Sequence, residues 1–245
     1  MAVAPQVETI TIRRHGVVVR ITHWLTFLAF VALLVTGAEI LISHPRFYWG
    51  EVGNVNTRPL IVLPIPASRD TVPTGYRYVM PDQNGWSRSL HFEAAWVAVL
   101  TGLLYVTYGF FSGHFRRSLL PRPQDWSWRA YRNRIAKYFH GSRSDHAEEL
   151  SYNVLQQTAY LIVIFVLFPL IIWTGLAMSP SFTSAFPASA ALLGGRQSAR
   201  TIHFVISCLL LLFLLVHVTM IALSGFRSRM RAMITGSSRR SEEGE

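Results

Sequence analysis

Four of the nine histidines, His23, His91, His203 and His217, fall in or at the edge of strongly apolar stretches. An imidazole in such surroundings is costly unless it faces the inside of a helix bundle and finds a partner there. Taken singly, each could be a packed, hydrogen-bonded histidine; the spacing of the set points further. His203 and His217 stand 14 residues apart, which on one α-helix is a rotation of about 40° and a rise of about 21 Å. One helix face therefore presents an imidazole near each of its ends. That separation is far too large for ligands of one metal ion and suits two cofactors stacked along the helix. Each needs a second imidazole from another helix, and depth along the chain pairs His91 with His203 and His23 with His217. Two neutral imidazoles fill both axial positions of a haem iron, leaving no open site for oxygen or substrate, which is an arrangement for electron transfer.

A second regularity favours haem over a bare ion. Arg20-Ile21-Thr22-His23, Arg88-Ser89-Leu90-His91 and Arg200-Thr201-Ile202-His203 repeat Arg-x-x-His at the start of three apolar stretches. An arginine three residues before a histidine sits one turn away on nearly the same face. Such arginines can be interfacial residues reaching for water, or they can pair with carboxylates, of which haem carries two as propionates. Three of them in register with the candidate ligands favour the second role. The one cysteine, Cys208, rules out an intrachain disulfide and a Cys-x-x-Cys-His attachment, so a haem would be held without a covalent link, as haem b.

The elements that must position these residues are four apolar runs, 21–42, 90–111, 154–178 and 201–226, each long enough to cross a bilayer. The third and fourth contain no Asp, Glu, Lys or Arg. The expected fold is all-α, an integral membrane four-helix bundle. Basic residues divide unevenly between its two sides: 16 lie in the N-terminal arm, the loop after the second run and the C-terminal tail, and seven lie in the opposite loops. The positive-inside rule then places both termini in the cytoplasm and accounts for the net charge of +10 without nucleic acid. The expected layout is a cytoplasmic arm at 1–19, the membrane domain at 20–226 with a periplasmic loop at 43–89 and a cytoplasmic loop at 112–153, and a cytoplasmic, disordered tail at 227–245. Arg13-Arg14 precedes a stretch too long for a cleaved signal, so a permanent first helix is expected, ending near Thr36-Gly37. The periplasmic loop is dense in proline and carries Phe47, Tyr48, Trp49, Tyr76, Tyr78 and Trp86, which could form a docking surface or pack over the bundle. Trp128, Tyr131, Ile135 and Phe139, interleaved with basic residues, predict an amphipathic helix on the membrane surface. Pro169 predicts a kink in the third span, which ends in Trp173-Thr174-Gly175 and so echoes Thr36-Gly37.

The Arg20-Ile-Thr-His23-Trp24 run, a histidine opening the second helix, and Arg200-Thr-Ile-His203 followed by His217 resemble the bacterial di-haem cytochrome b (cytochrome b561-like) family. That family includes the cytochrome subunits of membrane formate dehydrogenase, nickel–iron hydrogenase and thiosulfate reductase. The resemblance covers all four helices and implies two haems b held by His23, His91, His203 and His217 in a bacterial inner-membrane protein. It implies electron transfer between the quinone pool (menaquinone or ubiquinone) and a periplasmic redox subunit, a molybdenum enzyme or an iron–sulfur protein; the long outer loop looks most like members paired with a molybdenum enzyme. The segment Tyr152-Asn153-Val154-Leu155-Gln156 resembles the family's quinone-side segment, with Asn153 and Gln156 able to hydrogen-bond a quinone carbonyl or else simply to cap the helix. Asp145, His146 and Glu148 lie near it in the sequence and could carry protons, and Glu93, an ionisable group inside a span, could serve the haem beside His91 or simply reach the interface. Two other readings stand beside this one: a self-sufficient quinone-linked superoxide oxidase using the same haems, and a transporter whose histidines bind a metal ion.

Overall fold

Four long helices dominate the structure, a computed structural model that describes residues 9–13, 15–54, 56–65, 84–121, 127–139, 154–223 and 225–241. They run Val17–Ser43, Asn84–Phe111, Val154–Met178 and Arg196–Leu223, and each is long and apolar enough to cross a membrane. Leu28, Leu100, Leu104, Leu212 and Leu215 lie on their outward faces, all more than half exposed. In water that would be an error of folding; in lipid it is the ordinary surface of a bundle, since hydrocarbon solvates leucine as well as a core does. The first span packs along the second, and the third along the fourth, giving two antiparallel hairpins. Between them, midway along the bundle, Phe30 of the first span reaches a cluster of Val163, Ile206 and Leu210.

Two helices start earlier than their apolar runs. The second begins at Asn84 and the fourth at Arg196, which brings Arg88 and Arg200 inside the helices and one turn from His91 and His203. The first helix does not end at Thr36-Gly37 but continues to Ser43. A glycine is tolerated there because a neighbouring helix packs against it, and here a side chain of the second span does so. Pro169 is accommodated by a π-helical turn, Val163–Leu167, in which Phe168 donates its N–H to the Val163 carbonyl. Proline has no N–H to give and its ring crowds the carbonyl four residues back, so the helix widens just before it.

The start of the fourth helix is capped by the outer loop. Its first backbone N–H groups have no partners within the helix. The Gly50 carbonyl accepts from the N–H of Gln197 (3.0 Å) and Ser198 (3.2 Å), and the Glu51 carboxylate accepts from the N–H of Arg196 at 2.9 Å. In return Ser198 Oγ accepts from the Gly50 N–H at 2.7 Å. Gly195, at φ +110°, lies directly against the Gly50 backbone, where any Cβ would collide. A two-residue ladder, Arg46–Phe47 with Ile61–Val62, holds the loop's turn. Pro45, Phe47 and Tyr48 are all but fully buried, and Phe47 stacks on Phe204 with ring centres 4.3 Å apart. Of the loop aromatics, Phe47 and Tyr48 therefore pack over the bundle rather than forming a docking surface. Trp49 and Trp86 are exposed, while Tyr76 and Tyr78 lie outside the described residues.

The surface helix forms as the periodicity predicts, at Trp128–Phe139, and Tyr131 joins it to the third span through a 2.7 Å hydrogen bond with Thr158. The tail differs from expectation. After Gly225, in a left-handed conformation, a further helix spans Phe226–Thr235, and Ser237–Ser241 pairs antiparallel with Thr9–Arg13. Phe226, Met230, Met233 and Ile234 fall on one helical stripe beneath the arginines that make the tail read as polar.

Candidate cofactor site

The bundle brings the four histidines together in two pairs. His91 of the second span faces His203 of the fourth with ring centres 6.4 Å apart and planes at 57°. At the other end, His23 of the first span faces His217 of the fourth, also at 6.4 Å, with planes at 49°. A metal–imidazole bond is about 2 Å, so two imidazoles on opposite sides of one metal atom have ring centres about 6 Å apart. Both pairs therefore stand at the separation that admits one metal atom between the rings. Among the described residues no group of three or more His, Cys, Asp or Glu converges on a metal position. Two imidazoles alone are a poor cage for a bare ion but a complete axial set for a metal already bound in a plane.

Sequence reading did not assign the residues that orient these rings. Thr36 Oγ1 lies 2.9 Å from His91 Nδ1, and Thr174 Oγ1 lies 2.9 Å from His203 Nδ1. Each threonine precedes a glycine, and each glycine faces the same imidazole: a Cβ on Gly37 would lie 3.6 Å from His91 Cε1, and one on Gly175 would lie 3.5 Å from His203 Cε1. The echo of Thr-Gly between the first and third spans was the signal that could have found them. In the other pair, Tyr160 Oη is 3.5 Å from His217 Nδ1, Phe213 stacks on His217 and Trp24 stands edge-on to His23. His23 Nδ1 is buried with no hydrogen-bond partner among the described residues.

The arginines of the repeated motif diverge. Arg20 donates to the Ile234 carbonyl through Nη1 at 2.5 Å, while its Nε is buried without a partner among the described residues. Trp24 donates to the Met233 carbonyl at 3.3 Å, so the C-terminal helix closes this end of the bundle over the His23–His217 pair. Arg200 donates to the His44 carbonyl and lies over the Phe47 ring. Arg88 is exposed. Gln156 is half-buried in the first turn of the third span; Asn153, Asp145, His146 and Glu148 lie outside the described residues. Glu93 is exposed and accepts from Ser89 Oγ at 3.2 Å, away from the histidine pairs.

Residues 14–236 match the family described as prokaryotic cytochrome b561. The chain belongs to that family. It is similar also to a chain provisionally named protein-methionine-sulfoxide reductase subunit YedZ1, from Azospira oryzae, with 30% identity over 214 residues, 85% of this chain and 90% of the relative. The chain is thus a multi-pass membrane cytochrome b that binds haem b and serves electron transport as an oxidoreductase subunit. Its residues fit the cofactor: paired imidazoles at a suitable separation, glycines beside two of them, and an unpartnered buried nitrogen on Arg20 one turn from a third.

His44, just beyond the first span, is held below the ordinary histidine range, first by burial and then by the charges of Arg200 and Arg88. The unfolded chain therefore takes up a proton at this residue before the folded one does. Stability that is full above about pH 6.5 is lost as the pH falls. Thermal unfolding in detergent should show a midpoint that drops on acidification below that value, and His44→Asn should flatten part of the drop. An unchanged pH profile in the variant would discount this residue.

Proposed function

We propose that this cytochrome carries electrons between the membrane quinone pool and a redox subunit docked on its periplasmic face. In this reading His91 and His203 hold a haem b at the periplasmic end and His23 and His217 hold a second at the cytoplasmic end. The cofactor supplies reversible one-electron chemistry at each position. The observation that carries the reading is the pair of facing imidazoles at each end of one bundle, both at 6.4 Å. A single site would need one such pair; a path across the bilayer needs both.

The chain's own residues supply the rest. Phe30, Val163, Ile206 and Leu210 fill the space between the two levels with side chains rather than water. The basic surfaces keep the termini and the Trp128–Phe139 helix on the cytoplasmic side. On the opposite side, Glu51, Met178, Arg196, Gln197 and Arg200 line an open cleft of about 340 Å³ beside the exposed Trp49. This is where a partner would approach the His91–His203 end. The relative's name describes a subunit of a methionine-sulfoxide reductase, and a catalytic subunit of that kind, with a molybdenum or iron–sulfur centre, is the partner proposed here. Gln156, with Asn153, is proposed to receive the quinone carbonyl at the cytoplasmic end.

The test is to purify the chain from native membranes under gentle conditions, identify what accompanies it, and add a reduced short-chain quinone. Co-purification of a soluble redox protein and reduction of the cytochrome by the quinol are expected. A cytochrome that purifies alone and passes electrons from superoxide to added quinone, releasing dioxygen and forming quinol, would favour the oxidase reading instead.

A further inference from the structure

The two histidine pairs differ in what holds their outer nitrogens. A threonine hydroxyl has one proton to give. Thr36 gives it to its own helix, to the Ala32 carbonyl at 2.7 Å, and Thr174 likewise to the Leu170 carbonyl at 2.8 Å. Toward the imidazoles, 2.9 Å away, both oxygens are left only as acceptors. In that arrangement His91 and His203 carry their protons on Nδ1, which leaves Nε2 as the ring nitrogen with a lone pair for metal. At the other end one histidine has a single 3.5 Å approach from Tyr160, and the second has no partner among the described residues.

We propose that Thr36 and Thr174 are positioning residues that fix the tautomer and ring orientation of His91 and His203 and lower the reduction potential of the haem held there. The physical basis is that an acceptor on Nδ1–H pushes electron density onto the opposite nitrogen and makes the imidazole a stronger donor. A hydroxyl that is itself donating to a carbonyl is a better acceptor than a free one, because successive hydrogen bonds polarise each other. A richer donor favours ferric over ferrous iron. Both ligands of this pair have such an acceptor, on corresponding spans of the two hairpins, and the glycine after each threonine keeps the helix close enough for the bond. Among the described residues the His23–His217 pair has no threonine in this position, so the effect falls on one end of the bundle. The inference rests on the reading that His91 and His203 hold a haem.

The experiment is a redox titration of the purified holo-cytochrome, followed optically and by low-temperature electron paramagnetic resonance, for Thr36→Val, Thr174→Val, the double variant and the two serine variants. Each valine should leave both haems bound and raise one midpoint only, the one belonging to the haem that His203→Ala removes. The expected change in the ferric–ferrous ratio is about threefold to tenfold, tenfold being about 59 mV for one electron. The double variant should shift further and both serines should restore the original value, with a matching change in that haem's low-spin signal. If a valine variant fails to assemble, the alanine variant replaces it, and its difference from serine is read. No shift, equal shifts in both haems, or serine behaving as valine does would overturn the proposal. Those results with a haem still lost in His203→Ala sink the threonine role alone, whereas unchanged haem content in His203→Ala sinks the ligand reading beneath it.

Discussion

Replacing His203 by alanine is expected to halve the haem content of the purified chain. The imidazole faces His91 at 6.4 Å, lies 2.9 Å from Thr174 Oγ1 and sits beside Gly175, and a methyl group in its place offers no nitrogen to that position. His91→Ala should give the same loss, because one imidazole cannot clamp the metal from two sides. Haem binds only the folded chain and stabilises it by mass action; at a free concentration a hundredfold above the dissociation constant the contribution is about 2.7 kcal/mol. Both variants should therefore melt earlier than the parent in detergent, while the haem at the other end keeps its spectrum. Pyridine haemochrome assay and differential scanning fluorimetry read the two effects. Full haem content in both variants would remove this pair from the account.

The second large effect belongs to the opposite end. His23→Ala and His217→Ala should each cost the other haem, and with it the response to quinol: the remaining haem should still be reduced by dithionite, but its reduction by added quinol should slow by more than tenfold. The pairing makes a sharp demand here. His217 lies on the same helix as His203, 14 residues away, yet its loss should phenocopy that of His23 on the first span and not that of His203. Stopped-flow reduction of the four single variants distinguishes them. Two classes defined by pair are predicted; two classes defined by helix would contradict the geometry.

Much of this was legible in the sequence because a membrane reduces the alternatives. Four apolar runs can only be spanning helices, and a histidine buried in one can only face a partner. Two imidazoles at 14 residues fix two levels before any fold is known. What the sequence hid was of three kinds. Contacts between distant segments leave no local trace: Thr9–Arg13 alternates β-branched residues as a strand does, but nothing in the serines and arginines of Ser237–Ser241, more than two hundred residues away, marks them as its partner. Charge masked order in the tail, where arginines flank the Phe226, Met230 and Ile234 stripe that lets a helix form. Finally, the Thr-Gly pairs were visible as an echo, but their reading as helix ends was wrong for Thr36-Gly37. There the helix runs on for nearly two more turns, because the glycine sits against His91 rather than at a turn. The arginines were placed correctly one turn from the histidines, yet Arg20 and Arg200 also reach backbone carbonyls of the tail and the outer loop, Ile234 and His44. These bonds brace both ends of the bundle, and five donors on each guanidinium leave others for a carboxylate.

The most direct measurement is the number of haems per polypeptide in the purified, membrane-extracted chain, from pyridine haemochrome absorbance against quantitative amino-acid analysis. Two haems b for each chain are predicted. One haem, or a colourless protein free of iron, would contradict the pairing of imidazoles at both ends of the bundle.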